Sequence, residues 1–163
     1  MNKYIIFITS TVLKFVLIAV LSLNLTKLTN RTNFIFVFLY VLNVTWLLPD
    51  TKAAYQEWLR VLKPNATLIN IDGDYGKDAF TDYSNLPNHH AHHALENTML
   101  AESENIKQSI SINHYSRPQY DLNILKQINT KSIHVDTTIY QRIYQTQYEF
   151  YNPTPIFLIA LTK

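Results

Sequence analysis

Four histidines around one alanine, His89, His90, His92 and His93, form the densest group of metal-ligand side chains in the chain. Imidazoles bind metals well, and His89 with His93 at i, i+4 would share one helical face. An HExxH metal motif needs a glutamate between the histidines, and none is there. The chain has no cysteine, and the nearest acids are Glu96, Glu102 and Glu104. The cluster therefore reads as a polar helix start beside an active-site lid, with no metal expected. His114 and His134 stand apart and read as solvated or packed side chains. Tyr140, Tyr144, Tyr148 and Tyr151 have the look of a stacking stripe for single-stranded nucleic acid. Few Lys or Arg interleave them, and Pro153 and Pro155 follow, so a loop packed over a sheet is the reading.

A second constellation is polar and paired. Asn43, Thr45 and Trp46 follow the apolar run Phe34 to Leu42, and Asp72, Asp74 and Tyr75 follow Thr67 to Ile71. If those runs are neighbouring strands, their carboxyl ends make a ligand crevice. The competing reading, that Asn43 and Asp72 only cap turns, stands level with it.

The elements that must position these residues follow from periodicity. FIFVFLYVL (Phe34 to Leu42) is apolar without alternation, as in a strand covered on both faces. Pro49-Asp50 marks a helix start, with Asp50 as N-cap. Ala54, Tyr55, Trp58, Leu59 and Leu62 then recur on one helical face. Lys63-Pro64-Asn65 ends that helix, with Asn65 in the left-handed position glycine would take more easily. A strand from Thr67 to Ile71 completes a β-α-β crossover, the unit of parallel sheets. Beyond it, His89 to Gln108 reads as helix with Leu95, Met99 and Ile106 as its apolar line. Asp121 to Ile128 reads as a short helix capped by Asp121. Ser132 to Ile139 and Ile156 to Leu161 read as strands, the last giving an antiparallel edge.

Composition narrows the function. With 163 residues a single domain is expected, and a net charge of +2 without basic runs argues against nucleic acid. The chain has only two glycines, Gly73 and Gly76, so it contains no glycine-rich nucleotide loop. Residues 4–28 are mostly apolar and leave membrane association open. Against a span, Lys14 would cost about 2.5–3.5 kcal/mol near the bilayer centre. The Phe34 to Leu48 run is also shorter than the roughly 18 residues that read as a helix span.

The stretch NVTWLLPDTKAAYQEWLRVLKPNATLINIDGDYG, Asn43 to Gly76, resembles the second half of class I S-adenosylmethionine-dependent methyltransferases of the small-molecule type. Arg60-Val61-Leu62-Lys63-Pro64 stands where the family has its Arg-Val-Leu-Lys-Pro-Gly-Gly turn, with Asn65 and Ala66 replacing both glycines. SRPQYDLNIL (Ser116 to Leu125) and EFYNPTPIFLIALTK (Glu149 to Lys163) are similar to the family's closing region. The resemblance implies an α/β fold: a partial Rossmann-like methyltransferase sheet, mostly parallel with an antiparallel C-terminal strand, its first half missing. Residues 38–163 would be that C-terminal part, with a helical lid insertion at about 77–118, and residues 1–37 an atypical apolar extension. It implies S-adenosyl-L-methionine as cofactor, bordered by Asn43, Val44 and Thr45. A small-molecule methyl acceptor would lie against Trp46, Asp72 and Tyr75. The family's glycine loop and ribose-binding acid have no counterpart in residues 1–37, so a truncated enzyme, inactive or weakly active alone and cytoplasmic, is expected. Its open sheet edge would suit a complementary chain. The alternative is a membrane-anchored or interaction protein without catalysis.

Overall fold

The described part of the FIFVFLYVL run, Phe36–Leu42, forms the first strand, β1, of a sheet with four strands among the described residues. The computed structural model describes residues 36–82 and 84–163. The apolar segment 4–28, with its membrane reading, and nearly all of the 1–37 extension lie outside the described residues. Among the described residues no helix is long and apolar enough to cross a membrane.

From β1 the chain passes through a 3-10 turn, Thr45–Leu47, into helix α1, Thr51–Val61. Asp50 caps α1 as its sequence position suggests: its Oδ1 accepts the Ala53 N–H at 2.9 Å. The face expected to be buried is buried, with Tyr55, Trp58 and Leu59 all nearly inaccessible. Strand β2, Leu62–Gly73, follows directly and runs parallel to β1 from Phe38↔Thr67 to Leu42↔Ile71. The expected Lys-Pro-Asn turn survives as an irregularity inside this strand, where the pairing jumps from Leu62 to Thr67. Asn65 takes φ 65°, the left-handed conformation foreseen for it.

After β2 come α2, Asn97–Ser109, α3, Gln119–Leu125, β3, Ser132–Asp136, α4, Ile139–Ile143, and β4, Ile156–Thr162. The sheet order is β1-β2-β4-β3, with β4 antiparallel to both neighbours. Three strands thus point one way and the C-terminal strand alone is reversed. The expectation of a mostly parallel sheet holds for strand directions but not for pairings. Among the described strands only β1 and β2 pair in parallel, because β4 inserts between β2 and β3 instead of lying at the edge. The fold is mixed α/β. Helices α1 and α3 bury Tyr55, Trp58, Leu59, Ile124 and Leu125 against Leu68, Phe157, Ile159 and Leu161. Each such apolar side chain contributes roughly 1.5–3 kcal/mol on leaving water.

Three expectations fail for identifiable reasons. The histidine segment does not open a long helix: Ala91–Ala94 is a separate 3-10 turn and α2 begins only at Asn97. Within α2 the inward residues are Leu100 and Lys107, while Ile106 is half exposed. Lys107 is tolerated inside because its ammonium meets Glu104 at 2.9 Å and the Asp78 carbonyl, and lies 4.6 Å from the Phe80 ring centroid. Strand β3 stops at Asp136, whose carboxylate accepts the Thr138 N–H at 2.8 Å and turns the chain into α4.

Candidate functional site

Two strand ends and a folded-over C-terminal loop build the site. At the end of β1, Asn43 stands at φ 53°, an uncommon conformation for a non-glycine residue. Its own N–H continues the β1–β2 ladder by donating to the Ile71 carbonyl at 2.8 Å. Its side-chain oxygen accepts the Trp46 indole N–H at 3.1 Å, so the bend at Asn43 sets where the Trp46 ring stands. At the end of β2 the 3-10 turn Tyr75–Lys77 brings the Tyr75 ring to 5.0 Å from that of Trp46. Phe80 meets Trp46 edge-on at 5.8 Å.

The opposite wall comes from the C-terminal loop. Asn152 donates to the Tyr75 hydroxyl at 2.9 Å, and Tyr140 and Tyr151 share a 2.6 Å hydroxyl contact. Tyr144 packs edge-on against Tyr151 at 5.6 Å. Tyr140, Tyr144 and Tyr151 thus pack on one another, while Tyr148 is exposed. These segments enclose a cavity of about 350 Å³ lined by Asn43, Trp46, Tyr75, Phe80, His90 and Tyr151, among others. That volume falls at the small end of ordinary ligand sites.

His90 and His92 also reach this cavity. Their rings stack at 5.0 Å, and His90 is held by the Tyr151 carbonyl through Nε2 at 2.7 Å. His90 Nδ1 accepts the His92 N–H at 3.1 Å, which fixes His90 as the neutral Nε2–H tautomer. Burial, then the neighbouring His90 and His93, lowers the pKa of His92. Among the described residues no group of three His, Cys, Asp or Glu is placed to hold a metal ion.

Beneath the cavity floor lies a fully buried polar network. Asp72 accepts the Trp46 N–H at 3.2 Å and the Gly73 N–H at 2.8 Å. The Arg117 guanidinium stands 3.2 Å from Asp72 and grips Asp121 with two bonds, at 2.8 and 2.9 Å. Arg117 also donates to the Gly73 carbonyl at 3.0 Å. Tyr55 donates to Asp121 at 2.9 Å, Asn70 to the Tyr55 hydroxyl at 2.8 Å, and Thr45 to Asn70 at 3.0 Å. Burial raises the Asp72 pKa despite the opposing pull of Arg117. Burial, then Asp121, raises that of Tyr55, and burial with the charge on Asp72 raises that of Tyr75.

Of the residues singled out by sequence, Asn43, Trp46 and Tyr75 meet in the cavity. Val44, Thr45 and Asp72 are buried below it: Val44 in the core, Thr45 and Asp72 in the network. Asp74 faces a separate cleft with Arg117 and pairs with Lys77 at 2.7 Å. Arg117, Asp121, Tyr55 and Asn70 were not singled out as site residues. Asp121, expected as a helix cap, instead sits inside the first turn of α3 with its carboxylate buried. The i, i+4 spacing of Arg117 and Asp121 was the available signal. No protein-family model matches the chain, and no curated protein or solved structure is significantly similar to it.

Proposed function

We propose that this chain is the acceptor-binding part of a small-molecule methyltransferase scaffold of the S-adenosylmethionine-dependent class, with the aromatic cavity as the acceptor site. One observation carries the reading. Asn43 and Trp46, from the end of β1, and Tyr75, from the end of the adjacent parallel strand β2, line the same cavity. Carboxyl ends of adjacent parallel strands are where open α/β sheets place ligands. The single reversed strand at the C-terminus agrees with the sheet the resemblance implies.

The described residues do not fit a complete grip on the methyl donor. Both glycines lack positive φ, and neither sits in a phosphate- or methionine-cradling loop before a helix. A donor grip would come from residues beyond the outer edge of β1, which among the described residues pairs only with β2. Such residues would belong to this chain or to a complementary one, and a cytoplasmic location goes with this reading. What the described residues would do is bind the acceptor, orient it toward the β1 end and keep water out. The donor, when bound, would supply an electrophilic methyl group.

Titration of the isotope-labelled chain with S-adenosylhomocysteine, followed by amide NMR, tests the proposal. Weak, millimolar-range binding centred on the Asn43, Val44 and Thr45 amides is expected. Unmoved resonances there at saturating nucleoside, or shifts confined to other surfaces, would refute it.

A further inference from the structure

The cavity wall has an unusual electrical make-up. Its rings come from separate stretches of chain: Trp46 after β1, Tyr75 and Phe80 after β2, and Tyr144, Phe150 and Tyr151 from the loop before β4. They are inclined rather than coplanar, with Trp46 at 46° to Tyr75 and 73° to Phe80, and Tyr144 at 87° to Tyr151. Ring faces carry the negative part of the aromatic quadrupole, so a wall rich in rings and poor in cations suits a positive guest better than an anion.

The charges agree. Among the described residues no lysine or arginine lines the cavity, and the exposed Asp82 is the one acidic side chain in its lining. His90 is held as a neutral tautomer by the Tyr151 carbonyl and the His92 N–H. Burial, first of all, lowers the pKa of His92. The Tyr75 and Tyr144 hydroxyls resist ionisation, both through burial first. Lys107, which lies over the Phe80 ring, is paired with Glu104 at 2.9 Å. A phosphate or carboxylate entering this space would meet no lysine or arginine among the described lining residues. A cation would meet aromatic rings and one exposed carboxylate.

We infer that the cavity binds a small organic cation, an alkylated ammonium, through its aromatic walls and Asp82. The inference rests on the proposed acceptor site and narrows its ligand to amines and their methylated ammonium products. About 350 Å³ equals the volume of roughly a dozen waters, enough for a trimethylammonium head with a short organic tail.

The test compares choline with its uncharged isostere, in which carbon replaces the ammonium nitrogen, by calorimetry on the full chain. Choline is expected to bind about tenfold tighter than the isostere. Asp82→Asn, at an exposed position, should weaken choline about threefold and leave the isostere unchanged. Tyr144→Leu should weaken choline more than the isostere. Equal affinities, or no binding of choline, overturn the cation assignment. Equal, measurable affinities leave the acceptor-site reading standing. Choline binding without any nucleoside response at Asn43–Thr45 would keep the cation site and remove the methyl-transfer reading.

Discussion

Replacing Arg117 with methionine should be the most damaging single change in the described fold. The guanidinium is fully buried between two buried carboxylates, Asp72 and Asp121, and is hydrogen-bonded to the Gly73 carbonyl. Its face also rests 5.1 Å from the Phe157 ring centroid. Methionine keeps most of the volume but leaves Asp121 with only the Tyr55 hydroxyl, and both acids without a positive partner. Breaking a buried pair by removing one member costs about 3–5 kcal/mol, because the survivor remains desolvated. A domain of this kind has about 5–15 kcal/mol in total. At roughly 2–4 °C per kcal/mol for this size, Tm should fall by about 6–20 °C. Circular-dichroism melts and urea titrations would read the loss, with the urea slope unchanged if the fold is kept. Arg60→Met provides the contrast, since Arg60 is exposed, its Glu57 partner is a neighbour on the same helix, and such a pair is worth no more than about 1 kcal/mol. Adding Asp121→Asn to Arg117→Met should recover about 1–3 kcal/mol of the summed single losses. A Tm for Arg117→Met within about 2 °C of the parent, or strictly additive losses, would refute the network as described.

Two further predictions concern neighbouring positions. Asp72 has a folded-state pKa above its unfolded value, so its own term favours the fold below the unfolded pKa and is lost as pH rises through the folded one. Asp72→Asn lacks that term; its Tm relative to the parent should therefore rise from acid toward neutral pH, and a flat or falling difference would contradict the buried carboxylate. Gly76 is a glycine because a Cβ there would lie 1.8 Å from the Asn113 carbonyl oxygen. Gly76→Ala must push apart two 3-10 turns, Tyr75–Lys77 and Ser111–His114, so a loss of about 1–3 kcal/mol in urea unfolding is expected. An alanine variant as stable as the parent would sink that contact.

Much of the frame was legible in the chain because it rests on local rules. Asp50 before an apolar helical face gave α1, and the Lys63-Pro64-Asn65 interruption gave a left-handed residue at Asn65. The apolar runs ending at Leu42 and Ile71 gave two strands, and their helical connection implied parallel pairing. Asn43, Trp46 and Tyr75 followed as cavity residues, because strand ends fix where the next few side chains emerge.

What tertiary structure decided was every feature needing partners distant in sequence. Asp121 looked like a cap because Asp favours helix starts, yet Arg117 and Tyr55 together make burial of its carboxylate tolerable. Lys107 is buried because Glu104 and the Asp78 carbonyl close around its ammonium. His90 and His92 share a cavity because a carbonyl from Tyr151, far along the chain, holds the first ring. The place of β4 between β2 and β3 likewise depends on non-local pairing. Local propensity sets where segments turn and which face is apolar. Only the assembled fold supplies the compensating charges and hydrogen bonds that allow polar groups inside.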